Sequence, residues 1–580
     1  MKKDILIAEE KKIYTFRESL DNTLKLHGDR DAFVIRDKND SSGYRHITHR
    51  EFRDEINAMG TFLVDMGLQG EKITVIGENR YEWCLAYLAT TCGCGVIVPV
   101  DKELNADEVA MIINRSEAKA VVFSGKIYEK NLHKALMQNE SVKILVCMDD
   151  EELDAEGRDY FKLSDVLEKG KSLVENGDRR YLDAEIDGNA MSILLFTSGT
   201  TGVAKGVMLS QRNVCADIQS VVKCLDNGCT DRVLSILPIH HTYECTCDFL
   251  VMMHIGACMT FCDGLRHIAK NIQEYSPTIL MLVPLILENV HAKIMKQASA
   301  NPIKKVMFKF LLALSGMLQK LGFKNVGRKF FSQVHKSMGG RLRLVIAGAA
   351  AMSPKISKDF NRMGIAVRQG YGLTETSPIL CVSRDTGNID ASVGPAMPGI
   401  EVRIDNPDEN GCGEIIAKGD NIMLGYYEDA EATAAVLTED GWFHTGDLGR
   451  MDDEGRVYIT GRLKSMIVTK TGKNIFPEEL EAKIDKIPVV MESMVVGEDS
   501  DKDEDTIICA VIVPNNEALA EAGVASDDEK AVHDYIWDEI KKINKELLTY
   551  KRIQKIRIRK EEFEKTTTHK IKRHGANLAK

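Results

Sequence analysis

The sequence predicts an α/β protein of at least two domains, the first large and built on mostly parallel sheets, the second smaller. Three observations lead there. At 580 residues the chain is longer than one hydrophobic core usually supports. From about Thr15 to Val513, short β-rich runs alternate with helical periodicity and no internal repeat is visible, the pattern of parallel strands joined by crossover helices. Near Gly441 the pattern changes and a shorter final unit begins.

Taken in order, Ile73–Gly77, Gly95–Pro99 and Ala120–Ser124 read as buried strands. A helix is expected from about Thr48 to Asp65, because Phe52, Ile56, Met59, Phe62 and Leu63 recur at helical spacing. Trp83 to Val100 is the longest uncharged run. It is shorter than the roughly 20 apolar residues of a membrane span, and Gly93, Gly95 and Pro99 interrupt it, so it reads as a buried helix, a turn and a strand. Trp442 to Asp447 reads as irregular, Arg456–Thr460 as a strand, and Gly461–Lys464 as a linker. Beyond lie β-rich Met494–Val496 and Thr506–Val513 and a helix from about Glu529 to Leu547. The acidic clusters Asp499–Asp505 and Asp527–Glu529 read as solvated loops.

Hydrophobic content of 44% and charged content of 28% are ordinary for a globular chain. A net charge of -11 gives no support for a nucleic-acid surface, which would be basic. The fourteen cysteines show no CxxC pair, and Cys84, Cys147, Cys258 and Cys509 sit in apolar runs, which fits a reducing cytoplasm. The charged start, with Glu9-Glu10-Lys11-Lys12, leaves no room for a secretory signal, and no span is expected anywhere.

The strongest local signal is Leu194-Leu-Phe-Thr-Ser-Gly-Thr-Thr-Gly-Val-Ala-Lys-Gly206. An apolar strand ends in hydroxyls and glycines carrying one Lys. Glycines turn backbone N–H groups inward, hydroxyls add donors and Lys adds charge, so a phosphate chain is the natural guest; a plain flexible turn is the alternative. Its spacing is not that of a Walker A loop. In Val367-Arg-Gln-Gly-Tyr-Gly-Leu-Thr-Glu-Thr-Ser-Pro378, an aromatic between Gly370 and Gly372 can lie against a base, Thr374 offers a hydroxyl and Glu375 a hard oxygen to Mg²⁺. In Trp442-Phe-His-Thr-Gly-Asp-Leu-Gly449, Asp447 could accept both hydroxyls of a ribose. Singly, the last two could be an ordinary turn and a surface loop.

Together these residues resemble the adenylate-forming superfamily of acyl-CoA synthetases, luciferases and peptide-synthetase adenylation domains. Thr197–Gly206, Tyr371–Thr376, His444–Gly449, Gly461–Lys464 and Thr566–Arg573 match that family's motifs in order. The resemblance implies a multi-subdomain α/β N-terminal domain over residues 1–462, a hinge, and a small mobile α+β lid over 463–580. It also implies that ATP, Mg²⁺ and a carboxylic acid yield an acyl-adenylate, whose acyl group then passes to a thiol.

Carried over by motif, Thr197, Ser198, Gly199, Thr200, Thr201 and Lys205 surround the β- and γ-phosphates. Gly348, Ala349 and Ala350, within Val345-Ile-Ala-Gly-Ala-Ala-Ala-Met-Ser353, line adenine and the acyl pocket, and Gln369, Gly370, Tyr371 and Gly372 complete the base site with Tyr371 stacked on it. Thr374 contacts the α-phosphate, Glu375 holds Mg²⁺, and Asp447 and Arg462 bind the ribose. Lys464 is the hinge, Gly472 lines the thiol tunnel and Lys570 is catalytic. The last motif, Glu564-Lys-Thr-Thr-Thr-His-Lys570, departs from the family's commonest form, with His569 for Gly and Glu564 for Pro.

His241, in Leu237-Pro-Ile-His-His-Thr-Tyr243, aligns with the family's His or aromatic beside the substrate carboxylate. The rival is a metal site with His240, Cys245 and Cys247, but one residue between the two Cys is less than the usual gap of zinc ligands, and core packing fits them better. Residues 289 to 358 contain no Asp or Glu and many Lys and Arg. Met307, Phe308, Phe310, Leu311, Leu312, Leu314, Met317, Leu318 and Leu321 there suggest basic amphipathic helices. Long-chain fatty acyl-CoA synthetases resemble the chain in carrying extra helical sequence at about this place. Residues 293–336 then read as peripheral contact with the inner face of an anionic membrane, as a cover over an acyl tunnel, or as an ordinary packed insertion. A long-chain fatty acid is the expected acid, with medium-chain or aromatic acids as alternatives. CoA is the expected acceptor, because Lys464 to Pro477 carries no insertion of the fatty acyl-AMP ligase kind; an acyl carrier protein is the alternative.

Overall fold

The computed structural model describes residues 12–37, 40–197, 204–323, 325–350, 352–384, 389–468, 474–499, 506–565, 571 and 573. The chain divides into two compact units. The first comprises Met1–Val402, Ala417–Phe443 and Glu454–Arg456; the second comprises Arg403–Ile416, His444–Asp453 and Val457–Lys580.

Two eight-stranded sheets build the first unit. One runs, edge to edge, Gly425–Tyr426, Lys205–Ser210, Met191–Thr197, Val96–Val100, Lys72–Ile76, Ala120–Phe123, Ile144–Cys147 and Asp159–Lys162. The other runs Ile379–Val382, Ala366–Gly372, Leu344–Ala347, Ile279–Leu282, Arg232–Ser235, Cys258–Phe261, Asp31–Arg36 and Tyr44–Thr48. Pairing is parallel through the middle of both and antiparallel only toward their edges. Strands such as Ala120–Phe123, Ile144–Cys147 and Leu344–Ala347 are buried at every residue, as parallel strands covered by helices on both faces must be.

The helices form where the sequence marks them. His49–Asp65 starts on a capping box between Thr48 and Glu51 and buries Phe52, Ile56, Met59, Phe62 and Leu63. It packs against Leu163–Glu175, where a Cβ on Gly170 would come within 1.9 Å of the Ala58 carbonyl oxygen, so only glycine fits the crossing. Trp83 to Val100 folds as the end of helix Tyr81–Thr91, a turn and strand Val96–Val100, and the helix is buried on nearly every side. Among the described residues no helix is long and apolar enough to cross a membrane.

In the second unit, strands Val490–Asp499 and Thr506–Pro514 pair antiparallel, and Lys555–Ile558 adds in parallel. Helices Pro477–Ile484 and Glu529–Glu546 bring Leu480, Ile484, Val532, Ile536 and Ile540 into this sheet's core. Two readings of the sequence are corrected in the neighbouring segments. The stretch Trp442 to Asp447 is not irregular from Phe443 on: Phe443–Met451 is a strand whose Asp447–Met451 part pairs with Arg456–Arg462 and whose other neighbour in the sheet is Gly413–Gly419. Gly461–Lys464 is not a free linker: Gly461 and Arg462 finish that partner strand, and Leu463–Ser465 form one 3₁₀ turn.

Candidate functional site

In the first unit the glycine- and hydroxyl-rich segment is the connection between two paired strands. Met191–Thr197 and Lys205–Ser210 run antiparallel, with Thr197 opposite Lys205, so the two described shoulders of the segment are held side by side. Ser198, Gly199, Thr200 and Thr201 lie outside the described residues. Arg115 braces one shoulder by donating to the Ala204 carbonyl, with its guanidinium 5.2 Å from the Phe196 ring centroid.

Lys205 extends its ammonium to 4.5 Å from the ring centroid of Tyr426. The Tyr426 hydroxyl donates to Glu375 Oε1 at 2.9 Å. Burial, and then the Glu375 carboxylate, push the Tyr426 phenol well above its ordinary pKa, so it remains a donor at neutral pH. The segment around Tyr426 stitches the two motifs together through its backbone. Tyr427 N–H donates to the Gly206 carbonyl at 2.7 Å, Leu424 N–H to Met208 at 2.9 Å and Met423 N–H to Glu375 at 2.9 Å. Asn421 Nδ2 reaches the Thr376 and Ile379 carbonyls, each at 2.9 Å. The fold thus brings Thr197, Lys205, Thr374 and Glu375 under one clamp.

Gly348, Ala349 and Ala350 leave the C-terminal end of strand Leu344–Ala347, and Gln369 to Gly372 end the parallel neighbour Ala366–Gly372. The carboxyl edge of parallel strands is where open α/β sheets bind ligands. Gly348 is buried, and a Cβ there would stand 3.1 Å from the Tyr243 ring; Ala349 and Ala350 are exposed, Ala349 with φ of 69°. Tyr371 is buried. The Gln369 side chain donates to the Asp390 carbonyl at 2.7 Å, which ties down the strand end. The two glycines flanking Tyr371 differ. A Cβ on Gly372 would lie 1.7 Å from the Pro378 carbonyl oxygen, whereas one on Gly370 would meet only the Cys381 oxygen, at 3.8 Å.

His241 precedes the short helix Thr242–Glu244, and its ring centroid lies 4.1 Å from that of His240. His240 is buried, and burial followed by the charge of Lys102 lowers its pKa to about 3, which keeps it neutral. The helix widens into a π-helical stretch, Cys245–Leu250, a feature common beside functional sites. Cys245 and Cys247 are buried there, and among the described residues no three His, Cys, Asp or Glu side chains are grouped to hold a metal. Glu244 and Asp248 are buried one turn apart; burial raises both carboxyls, that of Asp248 to about 7.

The second unit carries the other motif residues. Asp447 and Arg462 face each other across paired strands, and Arg462 Nε contacts Asp447 Oδ1 at 2.9 Å. Asp447 is 4% exposed while half of the Arg462 side chain is open to solvent, so one edge of the pair is presented outward. Glu414 holds the turn before Asp447 with both oxygens: Gly446 N–H reaches Oε1 at 2.9 Å and His444 Nδ1 lies 2.8 Å from Oε2. Gly446 has φ of 70°, a conformation that favours glycine. Lys464 lies exposed in the 3₁₀ turn, and the next residue, Ser465, donates to Glu478 Oε1 at 2.7 Å. Gly472 and Lys570 lie outside the described residues. On either side of the last motif, Lys565 and Ile571 pair as an antiparallel bridge, and Lys565 contacts Glu492.

Tyr426, Arg115 and Glu414 carry no motif of their own. The only local hint was Gly425-Tyr426-Tyr427 after the apolar Ile422-Met423-Leu424.

A family model described as AMP-binding enzyme matches residues 20–427, and one described as AMP-binding enzyme C-terminal domain matches residues 464–578. A chloroplastic long-chain-fatty-acid–acyl-carrier-protein ligase of Arabidopsis thaliana is 26% identical over 564 residues, covering 86% of this chain and 76% of that protein. The long-chain-fatty-acid–CoA ligase 5 of Rattus norvegicus is 27% identical over 559 residues, covering 90% and 80%. Among solved structures, ATP-bound MatB from Rhodopseudomonas palustris superposes with a TM-score of 0.71 at 23% identity, covering 96% of this chain and 97% of that one; that likeness is one of fold.

Proposed function

The chain belongs to the AMP-binding enzyme family and is an AMP-forming ligase, and we propose that its acid is a long-chain fatty acid and its acceptor the thiol of coenzyme A. The observation that carries its nucleotide part is the cation of Lys205 and the carboxylate of Glu375 held on one tyrosine beside the glycine- and hydroxyl-rich segment. A triphosphate needs positive charge and backbone donors, and the metal that accompanies it needs a hard oxygen ligand. The names of the relatives in Arabidopsis and rat support the acid, and the name of the first supports an acyl carrier protein as the second acceptor.

In the first step a carboxylate oxygen of the acid forms a bond to the α-phosphorus of ATP and pyrophosphate leaves. Thr197, Ser198, Gly199, Thr200, Thr201 and Lys205 hold the β- and γ-phosphates, Thr374 the α-phosphate, and His241 lies beside the acid's carboxylate. Gly348, Ala349 and Ala350, with Gln369 to Gly372, receive the adenine. Asp447 and Arg462 receive the ribose, and Lys570 stabilises the charge developing at the bridging oxygen. Glu375 fits Mg²⁺, since one carboxylate oxygen is steadied by Tyr426 and no described residue bonds the other; the ion, when bound, offsets phosphate charge. In the second step the thiol sulfur attacks the acyl carbonyl and AMP departs. Lys464 is the hinge between the steps and Gly472 the lining of the thiol's path. We place the boundary at 462/463, which the start of the C-terminal family match at residue 464 supports.

A second reading concerns location. We place the enzyme in the cytoplasm, which its fourteen free thiols support, with residues 293–336 meeting the membrane. Helix Pro302–Lys320 carries two apolar stripes. Leu312 and Ser315 face the core, while Ile303, Val306, Met307, Phe310, Met317 and Leu321 face solvent, Phe310 63% and Leu321 67% exposed. At roughly 100° per residue these six fall on one face, with Lys304 on one flank and Lys309 and Lys320 on the other. That is the layout of a helix lying in an anionic bilayer surface.

The test of the reaction is AMP release with ATP, Mg²⁺ and CoA across saturated acids of increasing length. An optimum among long chains supports the reading. Release only with an acyl carrier protein overturns the acceptor, and an optimum among short or aromatic acids overturns the lipid assignment.

A further inference from the structure

Two motif side chains of opposite charge meet at a residue that no motif names. Lys205 lies against the face of the Tyr426 ring, 4.5 Å from its centroid, and Glu375 accepts from the ring's hydroxyl at 2.9 Å. Both charged groups are partly open to solvent, and neither forms an ion pair within 4.0 Å with any described residue. A Lys and a Glu free to meet ordinarily pair. Here the ammonium lies over the face of the ring and the carboxylate at its hydroxyl, so one side chain engages both.

We infer that Tyr426 is a positioning residue that keeps Lys205 and Glu375 apart, so that neither neutralises the other before a metal-bound triphosphate arrives. The inference rests on the nucleotide reading above and adds a role to it. Tyrosine suits the task chemically: the face of its ring attracts an ammonium, and its hydroxyl donates to a carboxylate. Phenylalanine would keep the spacer and lose the carboxylate contact, and leucine would lose both. The residue is also built to stay put. Its side chain is 7% exposed, its backbone pairs with Val207, and its N–H donates to Thr433 Oγ1 at 2.8 Å. Thr433 sits at the end of the turn that begins at Asp429, whose carboxylate caps helix Ala430–Ala434. The spacer is therefore anchored from behind, independently of the two charges in front of it.

The test reads nucleotide binding by titration calorimetry, with no acid present and hence no turnover. ATP is titrated in EDTA and then in Mg²⁺ into wild type, Tyr426→Phe, Tyr426→Leu, and Tyr426→Leu combined with Glu375→Gln. With Tyr426→Phe, metal-free ATP affinity should stay within about threefold, the scale of small changes to an exposed cation–π contact. The Mg²⁺ needed for half-maximal tightening should rise about tenfold, the scale of a lost hydrogen bond to a charged group. With Tyr426→Leu, metal-free affinity should fall about tenfold as Lys205 pairs with Glu375, and the added Glu375→Gln should restore most of it. A purely structural role for Tyr426 would lower the melting temperature and give no recovery in the double variant. Wild-type affinity in Tyr426→Leu, or no recovery on adding Glu375→Gln, overturns the inference while the nucleotide reading stands. Failure of wild type to bind ATP overturns both.

Discussion

Gly372 should not tolerate even a methyl group, whereas Gly370, two residues earlier, should. At Gly372 a Cβ would sit 1.7 Å from the Pro378 carbonyl oxygen, 2.7 Å from its carbon and 2.9 Å from Ile379 Cα, all backbone atoms in the paired strand. To reach even the 3.0 Å that real Cβ atoms respect, the two chains must separate by about 1.3 Å. The pair already shifts register between Tyr371 and Gly372, so the movement would fall on the turn Thr374–Thr376 that follows. Overpacking of this kind costs about 1–3 kcal/mol. Displacing Thr374 and Glu375 by about 1 Å should slow the chemistry on the order of a hundredfold. At Gly370 the nearest atom stands at 3.8 Å, an ordinary contact, so Gly370→Ala is the internal control. Pyrophosphate exchange into ATP with a fatty acid reads the first step alone, and thermal melting reads the fold. The expectation is a hundredfold loss of exchange with a lowered melting temperature for Gly372→Ala, and a wild-type melting temperature for Gly370→Ala, where the contact needs no rearrangement of the protein. Equal melting temperatures for the two variants would refute the steric argument.

Three further perturbations follow from the same geometry. Glu414→Ala removes the acceptor for Gly446 N–H and His444, worth about 1–3 kcal/mol locally; hydrogen exchange in a peptide spanning residues 443–449 should quicken, and unchanged protection would refute Glu414 as the brace of the turn. The buried Glu244–Asp248 pair should make stability fall as pH rises. Between the unfolded value near 3.8 and the folded value near 7, the native state keeps a proton at Asp248 that the unfolded chain has released. Asp248 contributes a slope of up to about 1.4 kcal/mol per pH unit, urea unfolding should report it, and Asp248→Asn should make it shallower, leaving the share of the buried Glu244. Finally, sedimentation with phosphatidylcholine vesicles should require added phosphatidylglycerol and weaken with salt. Phe310→Ser with Met317→Ser should cut binding by about tenfold or more, given what an apolar side chain gains on burial; binding indifferent to anionic lipid would count against the exposed stripe.

Much of this molecule is decided by contacts close in sequence. A strand that ends in glycines and hydroxyls with one Lys carries its chemistry in consecutive residues, so the segment between Thr197 and Lys205 stands out without coordinates, and the structure adds that its two shoulders pair. Alternating apolar strands and amphipathic helices likewise announce parallel sheets, because each element's burial is encoded in its own period. What the tertiary structure alone decided depends on pairing between distant segments. Phe443–Met451 is a strand because it lies between two others, Arg456–Arg462 along Asp447–Met451 and Gly413–Gly419 on its other side, although its glycines and polar residues read as a loop. In helix Pro302–Lys320 the sequence shows apolar residues on two faces, and only packing against Ser357–Met363 and its surroundings determines which face is left open. Gly370 and Gly372 look equivalent in the sequence, yet the close approach of Pro378 separates them. Tyr426 and Glu414 act on motifs that lie far from them along the chain. Their partners are chosen by sheet register, and register is a property of the assembled sheets that no local window of sequence contains.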